Sequence, residues 1–94
     1  MQYLKIRWKH ELEDEPVLIY CELDEARNET RKVEIFADGT KGYVSQTESN
    51  GFTMLSDEPV PSVADIASDP EFTPQEIKQD EFEKVWTEAV AEDK

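Results

Sequence analysis

One group of residues in the first half of the chain has types and spacing suited to specific polar chemistry: Glu22, Arg27, Arg31 and Glu34. A guanidinium presents its N–H donors as a planar fork that matches a carboxylate two bonds at a time. Two arginines four positions apart and flanked by glutamates allow two arrangements. One is a structural ion-pair cluster joining neighbouring strands. The other is a small site for an anion, a ligand or a charged group of a partner. Trp8, His10 and Tyr20 adjoin this cluster if the first two strands pair as a hairpin.

Other chemistries find no residue set. The single His10 and single Cys21 cannot supply a zinc site of several histidine and cysteine ligands. They fall at opposite ends of an expected hairpin and make a poor nucleophile–base pair, and no serine stands in an elbow motif. The glycines, Gly39, Gly42 and Gly51, sit at turn or strand positions rather than in a phosphate-binding loop. No catalytic residue, metal site or cofactor is expected, and the chain reads as a non-enzyme.

Carboxylates are the second chemical theme. The 94 residues hold 23 acids and 10 bases, a formal net charge of −13. The excess is uneven: residues 48–94 hold 13 acids and 3 bases, while residues 1–47 hold 10 acids and 7 bases. Such a surface repels nucleic acid and anionic membranes and attracts basic proteins. The acids of the C-terminal segment, Glu76, Asp80, Glu81, Glu83 and Glu88, are the expected contacts for a basic partner. The runs Glu13-Asp14-Glu15 and Asp57-Glu58 read as solvated turns. A lone cysteine, an alternating N-terminus in place of an apolar signal core, and no long apolar run point to a cytoplasmic chain. Oligomeric state is not legible.

The elements that must position these residues follow from periodicity. Residues 3–9 alternate, with Leu4, Ile6 and Trp8 on one side and Tyr3, Lys5, Arg7 and Lys9 on the other, the pattern of a half-buried strand. Residues 17–23 after Pro16 form a second strand, residues 24–30 a connection, and residues 32–37 a third strand. Asp38-Gly39 is a hairpin signal, and residues 41–46 return as a strand expected at the sheet edge. Residues 52–55 suit a short fifth strand. Ser62 caps a short helix over residues 63–67, which Asp69-Pro70 ends. Thr73 then looks like the cap of a second helix, with Pro74 at its first position and Glu76 at its third, and Asp80 suggests a further cap. Phe82, Val85, Trp86, Ala89 and Val90 fall at helical spacing on one face. The expected fold is α+β: an antiparallel four- to five-stranded meander sheet, packed on one face by C-terminal helices, in one small domain over residues 1–94.

Several stretches also resemble a known family. Tyr3-Leu4-Lys5-Ile6-Arg7-Trp8-Lys9-His10, Glu15-Pro16-Val17-Leu18-Ile19-Tyr20-Cys21-Glu22-Leu23-Asp24, Arg31-Lys32-Val33-Glu34-Ile35-Phe36-Ala37-Asp38-Gly39, Asp69-Pro70-Glu71-Phe72-Thr73 and Glu81-Phe82-Glu83-Lys84-Val85-Trp86 have the order and spacing of the DUF6881 family of small bacterial proteins. The resemblance covers nearly the whole chain and brings no catalytic residues with it. In size and habit such proteins are similar to the immunity proteins that neutralise bacterial toxins, which is analogy rather than descent. The functional expectation is an acidic inhibitor of a basic toxin. The alternatives are a phage-encoded nucleic-acid mimic acting on a defence nuclease and an anion-binding module centred on Arg27 and Arg31.

Overall fold

The computed structural model of the chain describes residues 1–51 and 53–93. Five strands form one antiparallel sheet: β1 (Gln2–Trp8), β2 (Leu18–Leu23), β3 (Glu29–Ile35), β4 (Lys41–Ser45) and β5 (Phe72–Ile77). Two helices, α1 (Val63–Ala67) and α2 (Gln79–Glu92), complete the α+β architecture. The spatial order is β4-β3-β2-β1-β5. The first four strands are a meander, and β5 closes on the free side of β1. The third strand starts and ends earlier in the chain than its pattern suggested, at Glu29 rather than residue 32. The Asp38-Gly39 turn forms as expected, with Gly39 at φ +89°, where a side chain would be strained.

Strand alternation sorts side chains onto two faces, and both faces are covered. Tyr3, Tyr20, Val33, Tyr43 and Ile77 point to the face crossed by α2, where Phe82 and Ala89 are buried against them. The helical stripe read from the sequence is the one in contact: Phe82 is fully buried, and Val85, Trp86 and Val90 pack beside it. Burying Phe82 alone stabilises the fold by about 1.5–3 kcal/mol. Leu4, Ile6, Cys21 and Leu23 point to the other face, under Val60, Val63, Ile66 and Phe72. So the long helix packs on one face, while α1 and the segment before it lie over the second. Ser62 caps α1 as expected, its Oγ accepting the Asp65 N–H at 3.1 Å.

Two local expectations are overturned. Of the fifth strand proposed for residues 52–55, Phe52 lies outside the described residues, and 53–55 are in no strand. The fifth strand is instead β5, where Thr73-Pro74 promised the start of a helix. The reason is tertiary. The open edge of β1 offers six antiparallel partners, from Tyr3↔Ile77 to Trp8↔Phe72, which outweigh a local capping preference. Pro74 is tolerated because β5 is an edge strand, where a missing N–H need not interrupt a ladder. The true helix begins at Gln79 as one continuous element, so Asp80 lies in its first turn rather than at a second cap. Among the described residues, no helix is long and apolar enough to cross a membrane.

Candidate functional site

The register places Tyr3, Glu22 and Arg31 side by side in one row across β1, β2 and β3, on the α2 face. There Arg31 is clamped between two carboxylates. Its Nε and Nη2 donate to the Glu22 oxygens at 2.9 and 2.6 Å, and its Nη1 and Nη2 donate to the Glu83 oxygens at 2.9 and 2.6 Å. The guanidinium also lies 4.9 Å from the Phe82 ring centroid and 5.1 Å from that of Trp86. Glu22 is buried at 7% exposure and takes a further bond from the Thr30 hydroxyl at 2.7 Å, with Tyr3 its register partner on β1.

The electrostatics follow from this geometry. The hydrogen bonds from Arg31 hold the Glu22 and Glu83 carboxyls below their ordinary range, burial opposing that shift in both. The same two partners raise Arg31 still further above its already high value. Burial and then the Glu22 charge push the Tyr3 phenol up. A charge-assisted network so fully satisfied rigidifies the junction of β2, β3 and α2. It leaves little of the Arg31 fork free for an incoming anion.

Arg27 is elsewhere. It stands in the β2–β3 turn at φ +64° and turns toward the segment that precedes α1. Its Nε donates to the Val60 carbonyl at 2.9 Å, its Nη2 to the Pro61 carbonyl at 2.7 Å and its Nη1 to Gln2 at 2.8 Å, while the Val60 N–H returns a bond to the Arg27 carbonyl. A second anchor, missed from the sequence, works beside it. Glu29 Oε1 accepts the Ser56 N–H at 2.6 Å and pairs with Lys32 at 3.0 Å, and Lys32 donates to the Met54 carbonyl at 2.8 Å. The advance signal was the density of charge in β3, where Glu29, Arg31, Lys32 and Glu34 are four of seven residues.

The other residues grouped with the arginines disperse. Tyr20 is on the α2 face one row from Glu22, under Lys5 at 5.9 Å. Glu34 is on the opposite face, in the row of Ile6 and Ile19. Trp8 is on that opposite face as well, stacked on Phe72 at 5.6 Å and edge-on to His10 at 4.3 Å. Its indole Nε1 is a buried donor with no partner among the described residues. His10 bridges the β1–β2 connection: Nδ1 accepts the Leu12 N–H at 2.9 Å, so Nε2 carries the proton given to the Pro16 carbonyl at 2.7 Å. Cys21 is buried beside Glu29, and its thiol is pushed up by burial and then by the Glu29 charge.

The five C-terminal acids divide into three environments. Glu76 belongs to β5 rather than to a helix. Glu83 is engaged by Arg31. Asp80, Glu81 and Glu88 are exposed on α2 without a cation partner among the described residues, the first two in the first turn where the helix dipole favours negative charge. The sheet explains the division. Lys5, Arg7, Arg31 and Lys41 point to the α2 face with Glu22, whereas Lys32 is the one strand base on the far face. An acidic helix therefore docks on a basic sheet face, and Lys41–Glu92 at 2.7 Å with Tyr43–Asp93 at 2.8 Å fix its far end.

Residues 2–91 match the family described as a domain of unknown function, DUF6881, and the chain belongs to that family. No match was found among curated proteins or among solved structures.

Proposed function

We propose that this member of the DUF6881 family is a non-enzymatic binding protein, an immunity- or antitoxin-like inhibitor that covers a basic surface of a bacterial toxin or nuclease in the cytoplasm. The observation that carries this reading is uncompensated negative charge. After the sheet has taken Glu83 and Glu92, α2 still exposes Asp80, Glu81 and Glu88, and the net charge of the chain is −13. Complementary charge of this kind speeds encounter and selects basic partners more than it adds raw affinity. The anion-module reading has less in its favour, because Arg27 and Arg31 lie apart and each guanidinium is already hydrogen-bonded within the chain.

The test is capture of partners from the source cell at low and high salt, followed by titration with the purified partner. A basic protein held at low salt, released by salt, and bound more weakly by the variant Asp80→Asn/Glu81→Gln/Glu88→Gln is the expected result. A partner whose binding ignores both salt and the three substitutions would refute the reading.

A further inference from the structure

The sheet face opposite α2 carries a groove of about 340 Å³. Ile6 and Ile19 form its floor, Ile66 and Phe72 one wall and Val60 another, and Asp65 and Asp69 stand at its rim. The groove exists because α1 is only five residues long and the cover over Leu4 and Leu23 stops short of the β1–β2 rows beyond them. Ile19, Val60, Ile66 and Phe72 consequently remain half-buried.

The rim carboxylates form no ion pair among the described residues, and the Arg27 guanidinium beside the groove is spent on the Val60 and Pro61 carbonyls of its wall. Among the described residues the Asp65 carboxylate makes no side-chain hydrogen bond or ion pair, and Asp69 accepts one backbone N–H, from Glu71 at 2.9 Å. Beyond the lining, Glu34 is paired in register with Ile19. Lys32, the strand base of this face, is held by Glu29 and the Met54 carbonyl. An apolar slot with the Asp65 and Asp69 carboxylates at its rim fits an apolar side chain whose neighbours are basic.

We infer that this groove is the anchor site for an apolar side chain flanked by lysine or arginine, on a segment of a partner protein; the inference rests on the reading of a basic partner and locates its main contact away from α2. The volume suits one or two side chains, the scale of an interface anchor. Charge complementarity selects the occupant. A nucleic acid would be repelled by the rim, and a neutral apolar ligand would leave the carboxylates unused. A second copy cannot supply the segment: the chain's one alternating basic–apolar stretch, Lys5 to Lys9, lies in β1 up to Trp8, with strands paired on both sides.

Methyl-resolved NMR of the labelled full chain tests this at low salt with two probes: a short end-capped peptide alternating lysine with leucine, and the same peptide with serine for leucine. The leucine peptide should shift the methyls of Ile6, Ile19, Val60 and Ile66 saturably and bind roughly tenfold tighter than the serine peptide, the gain from burying one apolar side chain. Asp65→Asn/Asp69→Asn should weaken the leucine peptide several-fold, with a spectrum that otherwise reports an intact fold. Equal binding of both peptides, with shifts confined to α2 amides, would overturn the groove while leaving the basic-partner reading standing. Absence of any shift with either peptide would overturn both.

Discussion

Replacing Arg31 by methionine is the most informative perturbation of this fold. The substitution keeps a long apolar stem against Phe82 and Trp86 but removes all four N–H···O bonds to Glu22 and Glu83. The two carboxylates are not equivalent. The Glu22 side chain is 9% exposed and would be left charged in the core with the neutral Thr30 hydroxyl as its donor, whereas that of Glu83 is 41% exposed and can return to water. Breaking a buried pair from one side costs about 3–5 kcal/mol, and Arg31 itself is partly exposed, so the expected loss is near 3 kcal/mol. Glu83→Gln should cost about 1 kcal/mol or less, as an exposed pair does. Adding Glu22→Gln to Arg31→Met removes the stranded charge and should recover about 1–2 kcal/mol. Urea unfolding followed by far-UV circular dichroism measures each value, with an unchanged slope showing that the same structure unfolds. A loss below about 1 kcal/mol for Arg31→Met, or further loss on adding Glu22→Gln, would refute the argument that a buried carboxylate depends on this arginine.

Three further outcomes are expected. Because Arg31 holds the Glu22 and Glu83 carboxyls below their ordinary 4.5, the unfolded chain binds protons first, so their contribution is complete above that pH and is lost as pH falls through the depressed values; acid unfolding curves should show this loss in the wild type and a flatter limb in Arg31→Met. Cys21 is buried and its thiol is shifted away from the reactive thiolate, so a disulfide reagent at neutral pH should label it only at the rate of unfolding, and rapid labelling of the native chain would contradict the packing. Arg27→Lys loses the fork that spans the Val60 and Pro61 carbonyls, so limited proteolysis near the exposed Met54 should accelerate several-fold, for a local loss of about 1–2 kcal/mol; a wild-type cleavage pattern would show that Glu29 and Lys32 hold the segment alone.

Local chemistry was sufficient for much of this fold. Alternation in Leu4-Lys5-Ile6-Arg7 marks a strand wherever one face is buried, the Asp38-Gly39 pair supplies a positive φ, Ser62 supplies a cap, and the spacing from Phe82 to Val90 can bury only one helical face. Strand parity also carried more than was taken from it. Arg31 and Glu34 are an odd number of positions apart in one strand, so they had to face opposite sides of the sheet.

The rest depended on contacts between residues distant in the chain. Arg31 meets Glu83 across 52 positions, and Arg27 meets Pro61 across 34, distances over which no periodicity operates. Thr73-Pro74 has good helix-start chemistry, yet it became β5 because the vacant edge of β1 offered more hydrogen bonds than one turn of helix. The acidity legible from composition was likewise divided only by the tertiary fold. Docking an acidic helix on the basic face of the sheet consumed Glu83 and Glu92 and left free charge on the outside of α2 and around the far-side groove. Composition determined that the chain is acidic; the pairing of faces decided which carboxylates remain free to meet a partner.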